Sequence, residues 1–175
     1  MNVDFQDIVP KDFSNNSHVW IYQSTRVFSS AEILKNRALL KNFLTDWKTH
    51  GTPVKGFGEL FFGQFIVIMA DESASGVSGC STDSSVRLVK QIEKDCEVDL
   101  FDRQMLAFVI NEKIQLLPLS QINHAIETGL VNANTLYFNN TILTKKELLN
   151  HWIIPVKKSW LAKRISEISL SKSSE

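Results

Sequence analysis

The sequence predicts an α+β protein: a ferredoxin-like βαββαβ core with an extra strand and a C-terminal helical extension. Three observations carry this expectation. Apolar runs of strand character and segments of helical period follow one another as strand, helix, strand, strand, helix, strand between residues 18 and 117. The run Phe65-Ile66-Val67-Ile68-Met69-Ala70 is apolar on both alternating faces, as a central strand covered on both sides requires. Beyond Pro118 the pattern changes to short helices and one brief strand. The chain therefore divides into an N-terminal arm (1–17), the core (18–117), a helix-strand-helix extension (118–168) and a disordered tail (169–175).

The arm ends in Ser14-Asn15-Asn16-Ser17, and its Phe5, Ile8 and Phe13 are the side chains able to dock on the body. Val19 to Gln23 is the first strand. Ser29 then opens a helix with a complete start signal, because Glu32 stands three residues on for a capping box and Phe28 and Ile33 are spaced as a hydrophobic staple. Ile33, Leu40, Phe43, Leu44 and Trp47 fall on one face, and Gly51 followed by Pro53 closes the segment. Phe57 to Phe62 and Phe65 to Ala70 form a hairpin across Gly63-Gln64. Asp71 and Glu72 stop the strand, and Ser73 to Ser81 reads as a loop of small residues. A second helix runs from about Ser84 to Glu97, capped by Thr82 or Asp83, with Val86, Val89, Ile92 and Cys96 inward.

Leu106 to Ile110 and Ile114 to Leu117 are strands joined across Asn111-Glu112-Lys113. Ser120 caps a short helix stopped by Gly129, Thr135 to Phe138 is a strand, and Thr144 with Glu147 makes a second capping box with a Leu143–Leu148 staple. Pro155 breaks that helix before a last segment holding Val156, Trp160, Leu161 and Ile165.

Composition narrows the classes of function. At 175 residues the chain can bury a real core. Its 19 basic and 19 acidic side chains cancel, so no global field draws it to nucleic acid or an acidic membrane. The Lys157-Lys158 and Lys163-Arg164 pairs read as a solvated face. No run is long enough for a membrane span, residues 1–11 lack a signal-peptide pattern, and Cys80 and Cys96 suit free thiols in a reducing cytoplasm. A cytoplasmic protein with no membrane insertion and no nucleic-acid partner is expected.

Strand, small-residue loop and helix start make the segment from Asp71 to Ser85 the candidate site. Gly76, Ser78, Gly79, Ser81, Asp83, Ser84 and Ser85 supply amides and hydroxyls for a small anion at a helix N-terminus, although Asp83 opposes it and the same residues serve as a simple cap. Cys80 beside a helix start is the candidate nucleophile, with Asp71, Glu72 or His124 as base or orienting group. No metal site is assigned: adjacent acids on a strand point to opposite faces, and His18, His50, His124 and His151 lack ligand spacing. No cofactor is called for. The four tryptophans belong to the core, with Trp152 and Trp160 as an alternative exposed aromatic patch for a peptide.

At VWIYQSTR (19–26), MADESASGVSGCSTDSSV (69–86) and VDLFDR (98–103) the chain resembles a family of uncharacterised Bacteroidota proteins often labelled "ABC transporter ATPase". The resemblance extends to IIPVKKSW (153–160), and GCSTDSS (79–85) is its most specific part. What it implies is that label. The residues oppose it, because such an ATPase needs a lysine and a hydroxyl at the end of its phosphate loop. Gly51 and Gly56 have the right spacing, but Phe57-Gly58 stands where Lys-Ser or Lys-Thr belongs. The SGVSG segment (75–79) follows the apolar strand and its acids, whereas the transporter signature precedes them. Residues 114–138 also resemble the second half of GYF-type adaptor domains, without their aromatic peptide-binding motif. The function expected is a non-catalytic binding or regulatory domain for a small ligand or a protein, with a Cys80-dependent enzyme as the alternative.

Overall fold

The computed structural model describes residues 1–71 and 79–172, apart from the side chains of 79–81 and 169–172. Its elements are β1 (His18–Gln23), α1 (Ser30–Asp46), β2 (Lys48–Thr49), β3 (Thr52–Pro53), β4 (Lys55–Phe61), β5 (Phe65–Asp71), α2 (Gly79–Cys96), β6 (Met105–Ile110), β7 (Lys113–Pro118), α3 (Ile122–Glu127), β8 (Leu136–Phe138), α4 (Lys145–His151), β9 (Ile153–Pro155) and α5 (Ala162–Lys172). The chain is mixed α and β with antiparallel sheets, as its residue pattern predicts. It forms two compact units, one from Asp4–Phe101 with Asn140–Asn150 and one from Asp102–Asn139 with Met1–Val3 and the chain from His151 on.

The N-terminal unit is built around β5, every residue of which is buried. β5 lies between β1 and β4 and is antiparallel to both, with Ile21 opposite Val67 and Gly58 opposite Ile68. A strand between two others that are joined by a helix is the split β-α-β arrangement. The strand expected to complete the ferredoxin-like sheet is elsewhere: β6 pairs with β7 and β8 in a separate sheet of order β7-β6-β8-β9. Residue pattern alone cannot choose between these partners, because any apolar strand satisfies either sheet. At the end of β1 where a fourth strand would begin, the segment before α4 intervenes, with His18 bridged to Thr144 and the Val19 amide donating to the Leu143 carbonyl.

Local chemistry explains the element ends. Ser29 and Glu32 make the predicted reciprocal capping box of α1, the Glu32 amide donating to Ser29 Oγ and the Ser29 amide to the Glu32 carboxylate. Thr144 and Glu147 repeat it at α4. The Leu143–Leu148 staple does not form, since Leu143 is 59% exposed while Leu148 is fully buried. α2 starts at Gly79, earlier than expected, which moves Thr82 and Asp83 from cap positions into the helix. Small polar residues cost a helix only about 0.5 kcal/mol each, less than the burial of Val89 and Ile92 further along returns. The helix ends with Glu97 in the left-handed region (φ 52°), closed by bonds from the Val98 amide to the Glu93 carbonyl and from the Glu97 amide to the Lys94 carbonyl. The β4–β5 turn is Phe62-Gly63-Gln64, one residue longer than expected, because Phe61 pairs with Phe65. Phe62 and Gly63 both take positive φ there.

α1 lies on β4 at two glycines. A Cβ at Gly56 would fall 2.7 Å from the Trp47 ring, and one at Gly58 would fall 3.2 Å from Leu40 Cδ2. The absent side chains therefore make room for the helix. Tyr22, Leu40, Trp47, Ile66, Ile68, Val89, Ile92 and Leu100 form the core between sheet and helices. The arm is docked through Phe5, Val9 and Phe13, while Ile8, expected to dock, is exposed. Lys145, only 5% exposed, donates from Nζ to the Phe13 carbonyl at 2.7 Å and the Lys11 carbonyl at 3.3 Å.

In the C-terminal unit, Phe108, Ile122, Ala125, Tyr137, Val156 and Leu161 form a second core. α4 stops before Trp152, and Ile153–Pro155 is a strand on β8, so Pro155 sits at a strand end rather than within a helix. Trp152 is fully buried, edge-on to Phe138, whereas Trp160 is exposed, so the two make no common patch. Among the described residues no helix is long and apolar enough to cross a membrane.

Candidate functional site

The C-terminal end of α1, strand β2 and the second and third turns of α2 enclose a groove of about 530 Å³. Leu39, Phe43, Trp47 and Leu88 form its apolar walls, and Asn42, Asp46, Lys48, Ser84 and Arg87 supply its polar edge. The spacing of both helices explains this set: Leu39, Asn42, Phe43 and Asp46 recur at three and four residues along α1, as Ser84, Arg87 and Leu88 do along α2. Trp47 leaves the helix and is 2% exposed, with its ring against Phe43 at 5.0 Å and Trp20 at 6.4 Å. His18 stacks on Trp20 at 4.4 Å, so an aromatic row runs from β1 to the groove wall.

Electrostatically the groove is open. The side chains of Lys48 and Arg87 make no ion pair or hydrogen bond among the described residues, in contrast to Arg26 with Glu32, Lys35 with Asp95 and Arg37 with Glu59. Among the described residues Asp46 is the single acid on its edge. A mixed groove of this size with a few polar groups over aromatic walls has the make-up of a small-molecule site.

The predicted site residues fall into separate groups. Ser84 lines the groove. Asp83 is exposed on α2, and Ser85 is fully buried, its hydroxyl donating to the Thr82 carbonyl at 2.8 Å, so it offers nothing to a ligand. Because α2 runs from Gly79, the amides of Asp83, Ser84 and Ser85 fall among those used within the helix. Gly79, Cys80 and Ser81 lie in the first turn by backbone, with side chains outside the described residues. Glu72, Gly76 and Ser78 lie outside the described residues altogether.

Asp71 has a structural duty. Its buried carboxylate accepts from the Ser14 amide at 3.1 Å and from Lys55 Nζ at 3.2 Å, and Lys55 also pairs with Asp12 at 3.0 Å and lies 4.6 Å from the centre of the Phe13 ring. The hydrogen bond to Asp12, and then that to Asp71, hold the Lys55 ammonium above its usual range, while Lys55 lowers Asp12. This cluster ties the arm to the edge of the sheet. His124, the other candidate base, is on α3 in the C-terminal unit. Cys96, a free thiol, is buried beside the Asn36 amide at 3.6 Å.

The glycine spacing that imitates a phosphate loop has a different use here. Gly51 (φ 85°) and His50 (φ 48°) form the two-residue turn between β2 and β3, and Gly56 is inside β4, with no helix following. Among the described residues no cluster of three or more metal-ligating side chains occurs. No protein-family model matches the chain, nor does any curated protein or solved structure. The groove residues on α1 were missed in the sequence because their helical spacing marks them equally well as core; the signal available was the polar Asn42 and Asp46 between Leu39, Phe43 and Trp47.

Proposed function

We propose that this chain is a bacterial, cytoplasmic binding module without catalysis of its own, whose α1–α2 groove holds a small ligand with an anionic group and an apolar body. The observation that supports this best is the pair of cations, Lys48 and Arg87, which are unengaged among the described residues and lie beside the Phe43–Trp47 wall. A guanidinium on an aromatic-walled groove takes a carboxylate or phosphate in two parallel bonds, and Asn42 and Ser84 orient the remainder of the ligand. Ser84, which lines this groove, belongs to the 73–85 segment expected to hold an anion. The three-stranded sheet with α1 and α2 is best regarded as a ferredoxin-like plan that lacks its fourth strand.

A thermal-shift panel of aliphatic and aromatic carboxylates and phosphate monoesters tests the assignment. At least one class should raise the melting temperature saturably, and Arg87→Gln should weaken it ten- to a hundredfold, about 1.5–3 kcal/mol for a charged hydrogen bond. Failure of every class, or binding indifferent to both Arg87→Gln and Lys48→Gln, would remove it.

The alternative, a cysteine-dependent enzyme, draws support from one observation: the backbone of Cys80 is in the first turn of α2, where the dipole favours a thiolate. Alkylation with a slow thiol reagent across pH separates the two. Selective modification of Cys80 with an apparent pKa well below about 8.5 favours the enzyme, and ordinary reactivity favours the binding module.

A further inference from the structure

Trp160, in the C-terminal unit, is the only exposed aromatic side chain among the described residues, with 47% of it open to solvent. It is not loose. Its Nε1 donates to the Tyr137 hydroxyl at 3.3 Å, and Tyr137 is itself buried on β8. Burial pushes the Tyr137 phenol up, and its hydroxyl oxygen accepts this bond. The next residue, Leu161, is fully buried in the core. A ring that is both exposed and fixed loses little freedom on contact, which is the property of an anchor residue.

Arg164, one turn further along, places its guanidinium 5.7 Å from the centre of the Trp160 ring and donates to Asn123 Oδ1 on α3 at 3.1 Å. Placed over the ring, a guanidinium still has N–H donors for a carboxylate. Lys163 stands beside it with its side chain 85% exposed, and its 3.8 Å approach to the exposed Glu167 binds it only weakly. Asn123, Trp160, Lys163, Arg164, Glu167 and Ile168 line one groove of about 340 Å³. From Trp160 to Ile168 this is a strip about 12 Å long at the helical rise of 1.5 Å per residue. From Lys157 to Arg164 the sequence carries four cations and no acid, in a chain that is neutral overall.

We propose that this strip docks an acidic segment of a partner protein, with carboxylates on Arg164 and Lys163 and a neighbouring apolar side chain against the open part of Trp160. Single-stranded nucleic acid suits it less, since such strands use successive stacking platforms and here one ring already carries an arginine. The surface is independent of the α1–α2 groove.

Peptide display against the full chain, followed by fluorescence anisotropy of the enriched peptides, tests the proposal. Enriched sequences should combine two or more acidic residues with an apolar one, bind saturably and weaken with added salt. Arg164→Gln and Trp160→Ala should each weaken them at least tenfold, and Lys90→Gln, which removes the same charge from α2, should leave them unchanged. If Trp160→Ala does not fold, Arg164→Glu serves in its place. Absence of acidic sequences among the enriched peptides, equal affinity for Arg164→Gln, or tighter binding of a ten-nucleotide single-stranded DNA would each overturn it.

Discussion

Gly56 offers the sharpest test of how α1 is seated. Gly56→Ala adds one methyl group where the nearest atoms are Trp47 Cε3 at 2.7 Å, Leu44 Cδ2 at 2.9 Å and Trp47 Cζ3 at 2.9 Å. Trp47 is buried and held between Phe43 and Trp20, so the ring cannot step aside without disturbing the aromatic row. Overpacking of this kind costs about 1–3 kcal/mol, and the lower chain entropy of alanine returns about 0.4–1 kcal/mol. The net loss should be about 1–2 kcal/mol, or roughly 2–8 °C in melting temperature for a chain of this length. Gly58→Ala is the internal control. Its methyl meets the end of Leu40 at 3.2 Å and Leu44 at 3.4 Å, tips of flexible side chains, so its effect should stay within about 1 kcal/mol. Urea unfolding followed by circular dichroism measures both. Trp47→Phe, which removes the obstructing ring, should rescue Gly56→Ala by about 1 kcal/mol in a double-mutant cycle. If Gly56→Ala is as stable as the parent, or if Trp47→Phe gives no relief, the glycines are not what lets the helix approach the strand.

Three further outcomes follow from single residues. Glu97 occupies the left-handed position that ends α2, so Glu97→Gly should stabilise the protein by about 0.5–1 kcal/mol in urea unfolding; a loss of stability would refute the strain. Lys145→Met removes the donor to the Phe13 and Lys11 carbonyls, and should cost about 2 kcal/mol and speed amide exchange through residues 4–17. Unchanged exchange in that arm would show that the ammonium does not hold it. Glu32 is lowered from 4.5 to about 2, first by Arg26 and then by the Ser29 amide. Its folded value lies below its unfolded one, so the stabilisation is complete above about pH 4.5 and drains away as the pH falls towards 2. Glu32→Gln should flatten the stability curve within that window, and an unaltered acid limb in a pH titration of stability would contradict the assignment.

What could be read from the residues was the chemistry that closes within a few positions. Ser29 with Glu32 and Thr144 with Glu147 are complete as capping boxes in the sequence and in the fold, because each hydrogen bond spans three residues. The two-sided apolar run of β5 likewise fixed its central place between β1 and β4. The partner of β6 was not legible, since pairing with β1 or with β8 satisfies the same apolar side chains and the decision rests on distant segments. Gly56 imitates a phosphate-loop glycine in the sequence for a related reason: what it and Gly58 accommodate is Leu40, Leu44 and Trp47, which precede them in the sequence and meet them only when α1 folds back.

The candidate site shows the same division with a functional consequence. Sequence placed the interest at a helix start, where polar residues are dense, and the fold takes two of those residues away: Ser85 turns its hydroxyl into α2, and Asp71 is spent on Lys55 and the arm. Ser84 faces a groove whose other wall comes from a helix some forty residues earlier. Trp47, a wall of that groove, lies against the bare face of β4 at Gly56. A substitution at Gly56 that displaces Trp47 should therefore alter the α1–α2 groove as well as stability, whereas the Trp160 strip, built on α3 and α5 within the other unit, should keep its affinity.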